Sequence, residues 1–447
     1  MNSLFAPLKA EGLTTLKINY DYRTGKVYFY CAREWEPDLA FSGYNRDFYA
    51  ESILTDSARY LGTAEVRALY ERYNLSGYLE EVVGLLRKGR HFGMECYYND
   101  RYDIRFICNI HSLRLGANNR YRATTAGGTR RHGFETPEID VIVDGLNLGR
   151  GMTFKNVAAG LDFGGSKTTV HMEPLTQERM ENLDLMGFLA FATDRCRVVT
   201  AADMNLPTQM SDVISEHFSA QYVCGPSTPI GETGRPTAYG VYLALRQAVK
   251  FDTGSDSLEG MSVALQGLGT VGWHLAGHLL SEKVRLCVDD IDKKVVDDLI
   301  ASYPEADIVP VEGDVLELEA DIFCPCAIGG ILHEGNIPKL RFRYIMGGAN
   351  NVLKATSQEE EIRLAGLLAD RGILYQTEWW HNTAGVLCGV EHYLHGESAT
   401  YESFIAKVEK IVPARTWENL SKSKELGITP TENAYRMCQE IIYGKQL

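Results

Sequence analysis

Ser262-Val-Ala-Leu-Gln-Gly267-Leu-Gly269-Thr270-Val271-Gly272, followed by a helical run and then Val284-Arg-Leu-Cys-Val-Asp289-Asp290, is the stretch whose reading decides the fold. The apolar run Val263 to Leu265 predicts a short strand that enters the glycines. Gly267, Gly269 and Gly272 permit a tight turn, close backbone approach to a pyrophosphate and close packing of helix on strand. The spacing predicts a helix over Thr270–Glu282, whose free N–H groups point at the phosphates. A second strand, Val284–Val288, delivers Asp289 and Asp290 roughly 20 residues after the glycines, where a carboxylate accepts ribose hydroxyls. Such an acid repels a 2′-phosphate, so the expected cofactor is NAD rather than NADP.

The remaining composition bounds the possibilities. A chain of 447 residues has room for two or three domains. Its net charge of −14 argues against nucleic acid or an anionic membrane as the main partner. No apolar run reaches the length of a bilayer span, and Met1 to Lys9 lacks a signal-peptide core, so a cytoplasmic location is expected. Ten cysteines are scattered rather than framed, which reads as reduced core thiols such as Cys108, Cys287 and Cys438. Cys324-Pro-Cys326 is the closest pair, but no second cysteine or histidine pair completes a zinc site, so no metal is expected.

In chain order, residues 1–88 read as a separate N-terminal extension. Leu16 to Tyr22 and Lys26 to Cys31 flank Arg23-Thr24-Gly25 as a hairpin, and Ser57–Arg87 has helical spacing. No catalytic constellation falls there, so packing or oligomerisation is the expected role. Residues 89–222 form a mixed region. It holds a strand around Tyr102 to His111, a polar loop through residues 117–120, and the glycine turn Gly127-Gly128. A helix is predicted over Thr136–Met152, another over Leu175–Arg195, and between them lie Lys155 and Lys167, twelve residues apart. Lys167 stands behind the glycine turn Gly164-Gly165 in apolar surroundings. A lysine there is costly unless it meets an anion or titrates low. The strand Val198-Val-Thr-Ala-Ala-Asp203 ends in a carboxylate, a placement shared by active-site acids and by helix caps. From residue 223 to 400, strands at Asp321 to Cys326, Tyr344 to Met346 and Ile373 to Thr377 alternate with helices. They predict a parallel, doubly wound sheet with ligands at the carboxyl ends of its strands. The turns at Ala327 to Gly330, Gly347 to Asn351 and His381 to Gly385 are therefore candidate walls of the cofactor site. The tail, 401–447, is expected to pack back on the 89–222 domain.

From about residue 92 onward the ordered motifs resemble the Glu/Leu/Phe/Val amino acid dehydrogenases, most closely the leucine and phenylalanine dehydrogenases. They are Gly127-Gly128-Thr-Arg, Arg150-Gly-Met-Thr-Phe-Lys155-Asn, Gly164-Gly165-Ser166-Lys167, Thr200-Ala-Ala-Asp203, Thr237-Ala-Tyr-Gly-Val-Tyr, the glycine fingerprint, Asp321 to Gly330, Gly348-Ala-Asn350-Asn351 and Asn382 to Val386. The resemblance implies an α/β fold of two domains, the second a Rossmann domain, to which this chain adds an N-terminal α+β block. It implies NAD-dependent, reversible oxidative deamination of an L-amino acid to its 2-oxo acid and ammonia by a homo-oligomer, at least a dimer. Lys155 matches the lysine that holds the substrate carboxylate, with Gly127-Gly128 around the same group. Lys167 matches the catalytic lysine, and Asp203 the acid that exchanges protons with the substrate nitrogen. Thr237, Asn350 and Asn351 match positions beside the nicotinamide and its ribose, Asp290 fits the adenosine ribose acid, and Ala327 borders the cofactor. A lysine with an ordinary pKa of about 10.4 is a poor base at neutral pH unless burial and a neighbouring cation depress it. Lys155 is a candidate for that cation.

Two departures stand out: Ser166 where the family has a third glycine, and Ala202 where it often has glutamate. Positions matching the side-chain pocket of leucine dehydrogenases read Ala126, Ala201, Val386 and Gly389, two of them trimmed and none charged. A bulky apolar or aromatic substrate, phenylalanine or tryptophan, is therefore expected. The alternatives are a branched-chain dehydrogenase and, in another class, a catalytically silent NAD-binding regulatory protein.

Overall fold

The computed structural model describes residues 2–36, 38–44, 59–113, 122–218 and 223–444. The expected loop at 117–120 lies outside them. The chain divides into two compact units, one of Met1–Asn156, Leu161–Gly231 and Gly389–Thr400, the other of Val157–Gly160, Glu232–Cys388 and Tyr401–Leu447.

The first unit is built on one mixed sheet. Its strands are β1 (Thr15–Asp21), β2 (Lys26–Arg33), β3 (Arg59–Leu61), β4 (Gly93–Asn99), β5 (Ile104–Ile110), β6 (Thr125–Ala126), β7 (Thr129–His132), β8 (Gly164–His171), β9 (Val198–Ala201) and β10 (Val223–Cys224). They lie in the order β10-β9-β6-β8-β5-β4-β1-β2-β3, with β7 also on β8. The predicted hairpin is present, closed at Gly25 in the left-handed region (φ 71°). It is not a separate block. β1 pairs with β4 along Thr15 to Asn19, so the N-terminal residues extend the sheet. Leu4, Leu8, Val66, Leu79 and Val82 share one core cluster with Val141, Ile142 and Leu146 of the helix Glu138–Ala158. The buried Glu138 carboxylate accepts the Leu4 N–H at 2.7 Å and the Tyr78 hydroxyl at 3.1 Å, tying the same parts together.

Several predicted boundaries shift for local reasons. The helical run expected from Ser57 begins outside the described residues, and from Arg59 it is β3 followed by two helices, Thr63–Arg72 and Ser76–Gly89, separated at Asn74 with φ 56°. The helix expected over Leu175–Arg195 breaks at Asn182, whose side chain caps a new helix by accepting from Asp184 N–H and Leu185 N–H. The helix expected to stop at Met152 runs on to Ala158, so Lys155 is helical.

In the second unit, β11 (Ser262–Gln266), β12 (Arg285–Asp289), β13 (Ile308–Pro310), β14 (Ile322–Pro325), β15 (Tyr344–Ile345) and β16 (Leu374–Tyr375) pair in parallel in the order β13-β12-β11-β14-β15-β16. This is the doubly wound order, with its switch point between β11 and β14. The tail joins this unit, where it was expected on the other. The helix Tyr401–Leu426 packs along Gly234–Thr253. Phe251 meets Trp417 edge-on at 5.3 Å, the Tyr239 hydroxyl donates to Glu409 at 2.7 Å, and a Cβ at Gly240 would lie 3.7 Å from Val412. No helix among the described residues is long and apolar enough to cross a membrane.

Candidate active site

Lys167 lies within β8, where a glycine turn had been expected. Gly164 and Gly165 are strand residues whose missing side chains admit neighbours. A Cβ at Gly164 would lie 2.0 Å from the Ser112 and Leu113 carbonyl oxygens, and one at Gly165 2.0 Å from the Thr153 amide nitrogen. The third position tolerates serine because the buried Ser166 hydroxyl hydrogen-bonds the Thr125 hydroxyl at 2.8 Å.

β6 and β7 are two halves of one interrupted strand beside β8. β6 pairs at Gly164 and Gly165, β7 at Thr168 to His171, and Gly127-Gly128 spans the interval opposite Ser166 and Lys167. On its other side this broken strand pairs with β9 and bridges from Thr129 to Ala202. Lys167 and Asp203 therefore flank Gly128 from two neighbouring strands. A Cβ at Gly128 would lie 2.9 Å from Lys167 Nζ and 3.3 Å from Asp203 Cβ, so glycine leaves the space through which the two meet. Lys167 Nζ donates to Asp203 Oδ2. Lys167 is 6% exposed, and burial pushes its ammonium below the usual range while Asp203 pulls the other way. Burial works to raise the Asp203 pKa, but Lys167 and Arg130 outweigh it and hold the carboxyl at about 2. Ala202 packs against the core cluster that contains Phe188 and Met210. Strand alternation thus turns it away from Asp203, and the missing charge there leaves the ion pair intact.

Lys155 is half-buried on the helix Glu138–Ala158. It is framed by Met152, 3.5 Å from the Cβ position of Gly127, and by Asn156, whose amide donates to the Ala126 carbonyl at 3.3 Å. That places its segment against the Ala126-Gly127 stretch. Ala126 is buried, Ala201 partly so, and Val386 and Gly389 share one face of the helix Ala384–His395.

Three further polar side chains, those of Arg130, Asp144 and His132, were not singled out from sequence. Arg130 Nε donates to Asp203 Oδ2 at 3.2 Å while its Nη1 reaches both Asp144 oxygens at 3.1 and 3.2 Å; His132 Nε2 lies 3.0 Å from Asp144 Oδ2. A signal existed. Asp144 and Lys155 stand 11 residues apart on one helix, about three turns and hence one face.

Most of the nucleotide candidates follow the carboxyl ends of the second unit's strands, while Thr237 lies on the helix Gly234–Thr253. Gly267 takes φ 90°, and a Cβ there would lie 2.8 Å from the Ala327 Cβ; one at Gly272 would lie 1.9 Å from the Gly267 carbonyl oxygen. Gly269 caps the helix Thr270–Ser281 with nothing within 4 Å of its Cβ position, room for a phosphate at the helix start. Val271 fills the space left by Gly348, 2.5 Å from its Cβ position. Asp290 Oδ2 accepts the Leu268 N–H at 2.6 Å and Oδ1 the Asp292 N–H at 2.9 Å, so the acid braces the loop and has lone pairs left to accept further hydrogen bonds. These residues fit a dinucleotide. Asn350 Oδ1 accepts from the Asn382 amide at 2.9 Å, Asn351 follows with φ 53°, and Thr237 Oγ1 donates to the Thr233 carbonyl at 2.7 Å. The space at Gly385 lies 2.7 Å from that threonine oxygen.

Comparison with known proteins agrees with this architecture. The family described as Glu/Leu/Phe/Val dehydrogenase, dimerisation domain, matches residues 109–220. The chain is 35% identical over 346 residues to the leucine dehydrogenase of Geobacillus stearothermophilus, covering 76% of this chain and 87% of that one. It is 32% identical to the phenylalanine dehydrogenase of Lysinibacillus sphaericus over 77% of this chain and 86% of the relative. Among solved structures, the L-tryptophan dehydrogenase of Nostoc punctiforme superposes with a TM-score of 0.64 at 28% identity, over 80% of this chain and 98% of that one. Motif order, fold and overall similarity agree, and the chain belongs to the Glu/Leu/Phe/Val family of amino acid dehydrogenases, oxidoreductases that act on the CH–NH2 group.

Proposed function

We propose that the protein catalyses the reversible, NAD-dependent oxidative deamination of a bulky apolar or aromatic L-amino acid. The observation that carries this reading is the buried Lys167, ion-paired to Asp203 through the gap that Gly128 leaves. Bound NAD supplies the hydride acceptor for the substrate Cα. The chain's own residues do the rest. Lys155 holds the substrate carboxylate. The substrate ammonium takes over the Asp203 carboxylate from Lys167 and passes it one proton, which leaves the substrate nitrogen neutral for hydride departure, and Lys167, now without its counter-ion in a buried position, releases its proton to solvent and becomes a neutral amine. The neutral amine then accepts a proton from the water that attacks the imine carbon, and Asp203 returns a proton to the departing nitrogen. Asp289 and Asp290 at the end of β12 support NAD over NADP, because a 2′-phosphate would meet two carboxylates.

The trimmed positions Ala126 and Gly389 and the likeness to a tryptophan dehydrogenase support a large side chain. The 35% identity to a leucine dehydrogenase favours the second reading, a branched-chain substrate. A hetero-hexameric glutamate dehydrogenase shares the fold; for this chain we propose a homo-oligomer. NAD reduction screened over the twenty amino acids, with kcat/KM compared for phenylalanine, tryptophan, leucine and glutamate, separates these. A clear preference for leucine or glutamate overturns the large-pocket reading. NADH binding without amino-acid-dependent reduction overturns the enzyme reading in favour of a silent binding protein.

A further inference from the structure

Asp203 is held by more than Lys167. Gly128, Arg130 and His132 alternate along one face of the broken strand, Gly128 making room for Lys167 while the next two side chains continue outward. Arg130 is only 15% exposed, and its guanidinium spans two carboxylates: Nε to Asp203 Oδ2 at 3.2 Å, Nη1 to Asp144 at 3.1 and 3.2 Å. His132 closes the far end on Asp144 at 3.0 Å. The charges alternate in a row that starts in β8, crosses β7 and ends on the helix Glu138–Ala158, the helix that also carries Lys155.

We propose that Arg130 is a positioning residue for Asp203, clamped by Asp144, so that the Arg130–Asp144 pair fixes where the Asp203 carboxylate points and keeps it ionised for the incoming substrate ammonium. This rests on the deamination reading above. Both cations compete for the same oxygen, Oδ2, so Arg130 keeps Asp203 in place after Lys167 has let go. A planar guanidinium suits the task because its fork reaches two carboxylates at once, which a lysine ammonium on a flexible stem does not do. The groups facing Asp203 are Lys167 from β8 and Arg130 from β7, with the Met204 N–H donating from its own segment. Removing the guanidinium takes a cation away from Asp203 and from Lys167 alike, and both groups then bind protons more tightly.

The test measures kcat, KM and pH profiles of kcat/KM for the full-length wild type, Arg130→Met, Arg130→Lys and Asp144→Asn with the best amino acid substrate. For Arg130→Met the expected result is a kcat lower by roughly 10- to 100-fold. Its acid limb moves up by about one pH unit, with KM for NAD unchanged. Arg130→Lys restores the position of the limb but not the full kcat, because the charge returns without the two-carboxylate reach. Asp144→Asn lowers kcat without moving the limb upward, and it reads out the clamp even where Arg130→Met folds poorly. A profile and kcat unchanged in Arg130→Met and Asp144→Asn overturn the positioning role alone. Absence of turnover in the wild type with every amino acid overturns both this role and the deamination reading.

Discussion

Glu378→Gln is expected to stabilise the protein increasingly as pH rises. Glu378 opens the short helix Glu378–His381 and is 2% exposed. Its carboxyl accepts the Tyr375 hydroxyl at 2.5 Å and the Val352 N–H, one residue beyond the Asn350-Asn351 turn. Glu361, held by Thr377 and Tyr435, faces it as a second carboxylate. Burial first, then Glu361, pushes the Glu378 pKa from 4.5 up to about 8. In the unfolded chain the group loses its proton above pH 4.5, while the folded chain keeps it until pH 8. Stability therefore falls with pH across that window by about 1.4 kcal/mol per unit, reaching roughly 5 kcal/mol above it. Glutamine supplies an acceptor for the same partners and an N–H in place of the acid O–H, and it does not titrate. Urea unfolding of wild type and Glu378→Gln at pH 5.5 and 7.5 is the assay, and the gap between them should widen by about 2.7 kcal/mol. A gap that stays constant with pH would mean that Glu378 folds as a carboxylate and that the reasoning is wrong. Because the same carboxyl braces the turn at Asn350, a parallel fall in NADH affinity at high pH in the wild type, absent from the variant, is expected.

Lys167→Ala should lower kcat by roughly 10²- to 10⁴-fold, the usual worth of a general base. NADH binding should stay within about twofold by fluorescence titration, since the lysine belongs to the first unit and the glycine turn to the second. Ser166→Gly leaves the Thr125 hydroxyl buried without its partner and should cost about 1–3 kcal/mol in thermal unfolding. An unchanged Tm would show that the serine is not anchored there. Gly272→Ala drives a methyl group to 1.9 Å from the Gly267 carbonyl oxygen, so the turn must open. KM for NAD should rise at least roughly tenfold while KM for the amino acid is little changed.

Motifs whose chemistry is local were legible in the sequence, and those that depend on partners across the sheet were not. The turn at Gly267 could be read because strand, glycines and acid follow one another in the chain, and β11 and β12 pair from Ser262 to Gln266 as that order requires. Lys167 and Asp203 could be named through their motifs, yet the reason for Gly164 and Gly165 was misjudged. Glycine marks a turn when its φ is positive, but here it marks a strand lying against backbone carbonyls from residues 112 and 113 and the amide of Thr153. The helix through Lys155 was cut short at the small residues of Arg150-Gly-Met-Thr. They are helical because Gly145 and Gly149 let the helix approach β5 and β8, with the Gly149 Cβ position only 2.7 Å from the Asn109 carbonyl oxygen. Arg130 shows the limit most clearly. Its role depends on β7 lying between β8 and β9 and on Asp144 arriving from a helix, and neither neighbour is adjacent in sequence. The N-terminal residues followed the same rule: their hairpin was readable from its turn, but its attachment to β4 is a backbone pairing between segments about eighty residues apart. Fixing the first turn of the helix that carries Lys155 is a consequence of that attachment, through Glu138 and its bonds to Leu4 and Tyr78. The N-terminal segment thus bears on the candidate site through the helix it anchors, without contributing a side chain to the Lys167–Asp203 pair.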